Sequence, residues 1–148
     1  MKFSTSIEYA VHALVYLARA QEGGPTLLAD VASAIRVPES YLRKVFQLLA
    51  KRGLVATQRG SKGGVSLGRP ATAVSLRDVV EAVDGSLPLY SCLRSQRGCT
   101  MSVPCLVQSV FDEASEAMAE VLSGTSIADV AASLQRRAPK WLAVRESA

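Results

Sequence analysis

The stretch PESYLRKVFQLLAKRGLVATQRGSKGGVSL, residues 38–67, decides the fold. Pro38 stands where a first helical residue would, a place its fixed φ favours. From there a helix runs to Arg52, with Val45, Leu48 and Leu49 turned to a core at helical spacing. Ser40, Tyr41, Arg43, Lys44 and Gln47 fall on or near its polar side. Gly53 ends it. Two short strand-like runs follow, 54–58 and 65–67. Between them lies Arg59-Gly60-Ser61-Lys62-Gly63-Gly64, whose three glycines allow the positive φ of a tight hairpin.

Upstream, Ser4, Thr5 and Ser6 offer caps for a helix reaching Ala20, with Ile7, Ala10, Val11, Leu14, Leu17 and Ala18 in helical period. Gly23, Gly24 and Pro25 stop it. Thr26 then caps a short second helix over 27–35, and Arg36-Val37 makes a tight turn into the third. Two short helices joined by a tight turn, then a glycine-tipped hairpin, spell a winged helix-turn-helix. The expected fold class is mainly α with a small β-hairpin wing. Such a unit places the N-terminal end of its third helix in the major groove of DNA. Ser40, Tyr41, Arg43 and Lys44 are there to reach base edges and phosphates. Arg59, Ser61 and Lys62 sit on the wing, where an arginine on a thin turn fits a narrow minor groove. The bland alternative is a solvated basic helix beside an ordinary hairpin.

Downstream, Ser75-Leu76-Arg77-Asp78 has the form of a capping box with Asp in the place of Glu, opening a helix over 76–83 that stops at Gly85. Residues 86–104 have no period, and nineteen such residues in a compact chain mark a functional loop or a disordered one. A long amphipathic helix follows over 105–123, with Leu106, Val110, Ala114, Ala117, Met118 and Val121 along one side. Gly124 stops it, and a last short helix begins near Thr125 or Ser126, ahead of a basic tail.

The 148 residues carry a net charge of +4 and are 49% hydrophobic, enough apolar material for a core and a charge that fits a nucleic-acid partner without requiring one. No apolar run approaches the roughly 18 residues that span a bilayer. Ser4, Ser6, Glu8 and His12 interrupt any signal-peptide pattern at the start. A cytoplasmic protein, off the membrane and with reduced thiols, is therefore expected. Its three cysteines, Cys92, Cys99 and Cys105, are clustered at a C-x6-C-x5-C spacing. Compact zinc sites use closer pairs, whereas wide, irregular spacing in a loop suits an iron–sulfur cluster. Glu8 and His12 are four residues apart and so share one face of the first helix. One histidine, no phosphate-cradling loop and no nucleophile motif argue against an enzyme.

Met1-Lys2-Phe3-Ser4-Thr5, Tyr41-Leu42-Arg43-Lys44-Val45, the glycine wing, the segment from Ser75 to Gly85 and the three-cysteine loop together resemble the bacterial winged-helix iron–sulfur regulators that include IscR, NsrR, RsrR and CymR. The resemblance extends to about Val130. It implies a homodimer, in which the long helix of each subunit crosses its partner and two recognition helices read a pseudo-palindromic double-stranded operator. It also implies a cluster, [4Fe-4S] or [2Fe-2S], on Cys92, Cys99 and Cys105. IscR-like members complete theirs with a histidine just after the third cysteine, which this chain lacks. NsrR-like members use a carboxylate matching Glu8 from the other subunit, and RsrR-like members use both a Glu and a His of this helix with two cysteines. Glu8, His12 and three cysteines make five donors, and the choice among them stays open.

The organisation expected is a DNA-binding domain over 1–85, a cysteine-bearing loop over 86–105, and a dimerisation helix with tail over 106–148. The function expected is transcriptional regulation in response to redox state, nitric oxide or iron–sulfur status. The competing readings are a cluster-free winged-helix repressor, controlled by cysteine oxidation or by a protein partner, and an adaptor that binds protein and not DNA.

Overall fold

The computed structural model describes residues 3–20, 24–60, 63–85 and 105–135. Within them the order is α1 (Thr5–Ala20), α2 (Leu28–Ile35), α3 (Glu39–Lys51), β1 (Val55–Gln58), β2 (Gly64–Leu67), a 3-10 turn (Ala71–Ala73), α4 (Leu76–Val83), α5 (Leu106–Ser123) and α6 (Ile127–Gln135). This is the mainly helical, hairpin-bearing fold expected. The two strands pair antiparallel, Val55 opposite Leu67 and Gln58 opposite Gly64.

The core forms around α1. Ala10, Ala13, Leu14, Val15, Tyr16 and Leu17 are all buried, so the second half of the helix is apolar on nearly every side. A helix of that kind is stable only when surrounded, and α2, α3, α4, α6 and β2 all pack on it. α3 contributes Leu42, Val45, Phe46 and Leu49. Leu42 and Phe46 are core residues that the sequence pattern did not mark, and Leu48 is half-buried.

Several ends differ from expectation by a residue, each for a local reason. Thr26 does not cap α2. Its backbone is bonded both ways to Val65, N–H to carbonyl at 2.9 and 2.8 Å, so it serves as a third strand position beside the wing, and Leu27 takes the cap position. Pro38 is not helical: at φ −56° and ψ 131° it caps α3, and its carbonyl accepts from Tyr41 and Leu42. Arg36 makes the turn between α2 and α3 in the left-handed region, at φ 57°. Cys105 caps α5 and is not its first residue. A Cβ on Gly64 would lie 2.6 Å from the Thr26 carbonyl oxygen, so close pairing of the wing with residue 26 requires glycine there.

The Ser75 box is present in both directions, Ser75 Oγ accepting from the Asp78 N–H at 3.1 Å and Asp78 Oδ2 from the Ser75 N–H at 2.9 Å. A second box, Ser126 with Asp129, opens α6 in the same way. The two helix starts lie side by side: the Leu76 N–H donates to the Thr125 carbonyl at 2.9 Å and the Ile127 N–H to the Val74 carbonyl at 2.8 Å. This staple drives Ile127 into the core beside α1, where it is 0% exposed. α6 thus belongs to the same core as α1–α4.

Burial tends to raise the Asp78 carboxyl, but hydrogen bonds from the Ser75 backbone and hydroxyl, and then Arg69 at 3.3 Å, outweigh it and hold the group below its ordinary value. A depressed carboxyl contributes stability above its unfolded pKa and loses it as pH falls through the folded one. Acid unfolding of Asp78→Asn should therefore depend less steeply on pH than that of the wild type. Replacing Ile127 by Ala should lower the unfolding free energy in urea by about 2–5 kcal/mol through the cavity left. A change under about 0.5 kcal/mol, the scale of a surface substitution, would contradict the placement of α6.

Candidate functional site

α3 buries one side and turns Glu39, Ser40, Tyr41, Arg43, Lys44 and Gln47 outward. Ser40, Arg43 and Lys44 therefore share one exposed face in the first half of the helix, with Gln47 farther along it and Tyr41 at its edge. The Arg43 guanidinium is paired with the Glu39 carboxylate one turn back, so reaching a base edge requires it to leave that partner. The i, i+4 spacing of Glu39 and Arg43 was the available signal for this pair. Arg59 is exposed at the end of β1, and Gly60 follows in a positive-φ conformation of 109°. Ser61 and Lys62 lie outside the described residues.

Tyr41 is held from behind. Its hydroxyl and the Ser6 hydroxyl of α1 are hydrogen-bonded at 2.6 Å. Its ring stands edge-on to Tyr9 of α1, centroids 5.6 Å apart. Nothing in the sequence pattern marked these contacts, which join residues thirty or more positions apart.

Glu8 and His12 do share a face of α1, as their spacing requires. They line one pocket of about 320 Å³ together with Phe3, Ile7, Val11, Leu76, Val80, Leu122 and Val130. Glu8 is exposed and His12 half-buried. Burial pushes the His12 imidazolium down, and the charge of Glu8 only partly pulls it back up. The ring is therefore mainly neutral at neutral pH, the form that ligates metal. The start of α1 is pinned beside this pocket. Asp84, at the end of α4, accepts from the Ser4 N–H at 3.0 Å and from the Ser4 hydroxyl at 2.5 Å.

Cys105 is a free, half-buried thiol at the start of α5. Cys92 and Cys99 lie outside the described residues, so the three cysteines are not seen together. Leu122, near the far end of α5, lines the Glu8–His12 pocket. With a rise of about 1.5 Å per residue, Cys105 stands roughly 25 Å from Leu122 along a continuous helix. A single chain therefore separates Cys105 from Glu8 and His12. Among the described residues no group of three or more His, Cys, Asp and Glu side chains is placed to hold one metal ion. The α5 face carries exposed Leu106 (77%), Val107, Val110 and Val121 (74%). Val107 joins the stripe that the sequence outlined. Among the described residues no helix is long and apolar enough to cross a membrane.

A winged helix with a basic reading face is the architecture of a DNA-binding transcriptional regulator, and the comparisons agree. The Rrf2 family profile, described as an iron-dependent transcriptional regulator, matches residues 3–133, and the chain belongs to that family. It is 33% identical to the HTH-type transcriptional regulator IscR of Yersinia pestis over 130 residues, 88% of this chain and 79% of that one. Its fold superimposes on IscR of T. potens with a TM-score of 0.74 at 27% identity, covering 94% and 92% of the two chains. On CymR, the global cysteine regulator of B. subtilis, the TM-score is 0.73 at 26% identity, covering 90% and 98%. These relatives are regulators of transcription, not enzymes.

The exposed face of α3 leads to two distinguishable outcomes. Arg43→Ala should cost about 1–3 kcal/mol on a specific duplex and much less on a scrambled one, as loss of a base contact does. Lys44→Ala should weaken both duplexes alike and reduce the salt slope by about one. Equal affinity of both variants and wild type in a salt titration would refute this docking.

Proposed function

We propose that the chain is a dimeric, operator-binding regulator whose DNA affinity is set by an iron–sulfur cluster. The cluster would be held by Cys92, Cys99 and Cys105 of one subunit and completed by Glu8 or His12 of the other. The single observation that carries this reading is the placement of Glu8 and His12. A carboxylate and a neutral imidazole share an apolar pocket in a chain of an iron-dependent family, yet lie far along α5 from Cys105. The donor set fits iron: thiolates are the usual cluster ligands, and a carboxylate or imidazole is the weaker one. The cluster would supply sensitivity to redox state, nitric oxide or iron supply.

This chain's own residues do the rest. Ser40, Arg43 and Lys44 of α3, with Arg59, Ser61 and Lys62 of the wing, read and hold the duplex. The exposed apolar face of α5 pairs with that of a second copy, because burying Leu106, Val107, Val110 and Val121 removes them from water. Asp84 ties the start of α1 to the point where the chain leaves for the cysteine loop. A ligand bond from α1 to the partner's loop fixes the spacing of two recognition helices, and a dyad readout tolerates little change in spacing.

A second reading is favoured by the similarity to CymR: a regulator without a cluster, controlled by cysteine oxidation or a protein partner. Anaerobic purification separates the two. The first reading expects a coloured protein with iron and sulfide, colourless when any one of Cys92, Cys99 or Cys105 is replaced by Ala. The second expects a colourless protein with reversible thiol oxidation.

Subunit exchange tests the cross-chain arrangement. A heterodimer of Cys105→Ala with Glu8→Ala/His12→Ala should recover half of the wild-type iron, because one of its two sites receives an intact loop and an intact α1. Each homodimer alone should hold little. A heterodimer as empty as both homodimers would place all ligands in one chain.

A further inference from the structure

The tie between Tyr41 and α1 points to a role that the sequence pattern hid. Tyr41 occupies the first turn of α3, between Ser40 and Arg43, so by position alone it belongs among the DNA contacts. Its side chain, however, runs back to α1. The hydroxyl meets Ser6 Oγ at 2.6 Å, and the ring rests edge-on against Tyr9 at 5.6 Å. Tyr9 is itself packed against the core, so the contact anchors the first turn of α3 to the most buried helix of the fold. Edge-to-face ring pairs are favourable beyond the area they bury. Leu42, Val45, Phe46 and Leu49 fix the body of α3, but Pro38 and Glu39 at its start are exposed. Tyr41 ties this exposed start to α1 through both its hydroxyl and its ring.

We propose that Ser6 and Tyr41 form a positioning pair that sets the angle of the recognition helix. Tyr41 then serves operator discrimination through Ser6, not by hydroxyl contact to DNA. Base readout needs donors held to within a fraction of an ångström at the N-terminal end of the helix. A small rotation at Tyr41 moves Ser40 and Arg43 together, whereas phosphate contacts such as that assigned to Lys44 tolerate it. Ser6, which is not on the reading helix, becomes a specificity-determining residue.

The test is a double-mutant cycle on binding. Wild type, Ser6→Ala, Tyr41→Phe, the double variant and Ser6→Thr are titrated at one salt concentration against two duplexes. One is selected by the wild-type protein from a randomised pool, and the other is a scramble of it. Each single variant should lose about three- to tenfold in affinity for the selected duplex, the scale of one hydrogen bond, with the scramble unchanged. The double variant should be no weaker than either single one, since both remove the same bond. Ser6→Thr, which restores a hydroxyl, should bind like the wild type. If Tyr41→Phe loses affinity while Ser6→Ala does not, the hydroxyl contacts DNA and the proposal fails. Additive losses, no loss in either variant, or a Ser6→Ala defect that Ser6→Thr leaves unrepaired also overturn it.

Discussion

The burial of α1 is the constraint from which the rest of the molecule follows. From Ala13 to Leu17 every residue of the helix is buried, so four helices and a strand must close around it. Ala10 and Ala13 let neighbours approach closely, and Leu14, Val15 and Leu17 fill the space between them. Apart from Arg19 at its far end, the polar side chains of the helix lie in its N-terminal turns. Those few positions carry the chemistry: Ser4 on Asp84, Ser6 and Tyr9 on Tyr41, and Glu8 with His12 in the pocket against α4, α5 and α6.

A fixed post of this kind would give the proposed sensor something to push against. α1 touches the recognition helix on one side and the end of α4, where the chain departs toward the cysteines, on another. In the proposed arrangement, a bond made or broken at Glu8 or His12 would not need to deform the core to reach α3, since a few side chains on one helix make the connection. Any ligand acts only through its differential affinity for the two arrangements. α5 complements this design. Its length keeps Cys105 away from its own chain's pocket, and its apolar face is exposed, where the proposed dimer would place a second copy.

Much of this was legible in the sequence because the signals are local. Gly53 and Gly85 take the positive φ that ends α3 and α4. Ser75 and Asp78 close the capping box their spacing promises, and the wing glycines make the hairpin. What escaped depends on distant partners. Thr26 looked like a cap but pairs with Val65, because the wing folds back over it. Pro38 sits one place earlier than expected, since its extended ψ already directs its carbonyl at Tyr41 and Leu42. Ile127 enters the core only through the staple between the starts of α4 and α6, and the Ser6–Tyr41 contact spans 35 positions. For the candidate site, the pairing of Glu8 with His12 followed from helical periodicity. The distance to Cys105 emerged only with α5 in place.

α1, α3 and α6 share one core, so the recognition helix and the helix that carries Glu8 and His12 should not open separately. Native-state amide hydrogen exchange measures this directly. The amides of Ala13–Leu17 in α1, Leu42–Leu49 in α3 and Val130–Ala131 in α6 should share one opening free energy, equal to that of global unfolding. Exchange of the α3 or α6 amides through a much cheaper opening, with α1 still protected, would contradict it.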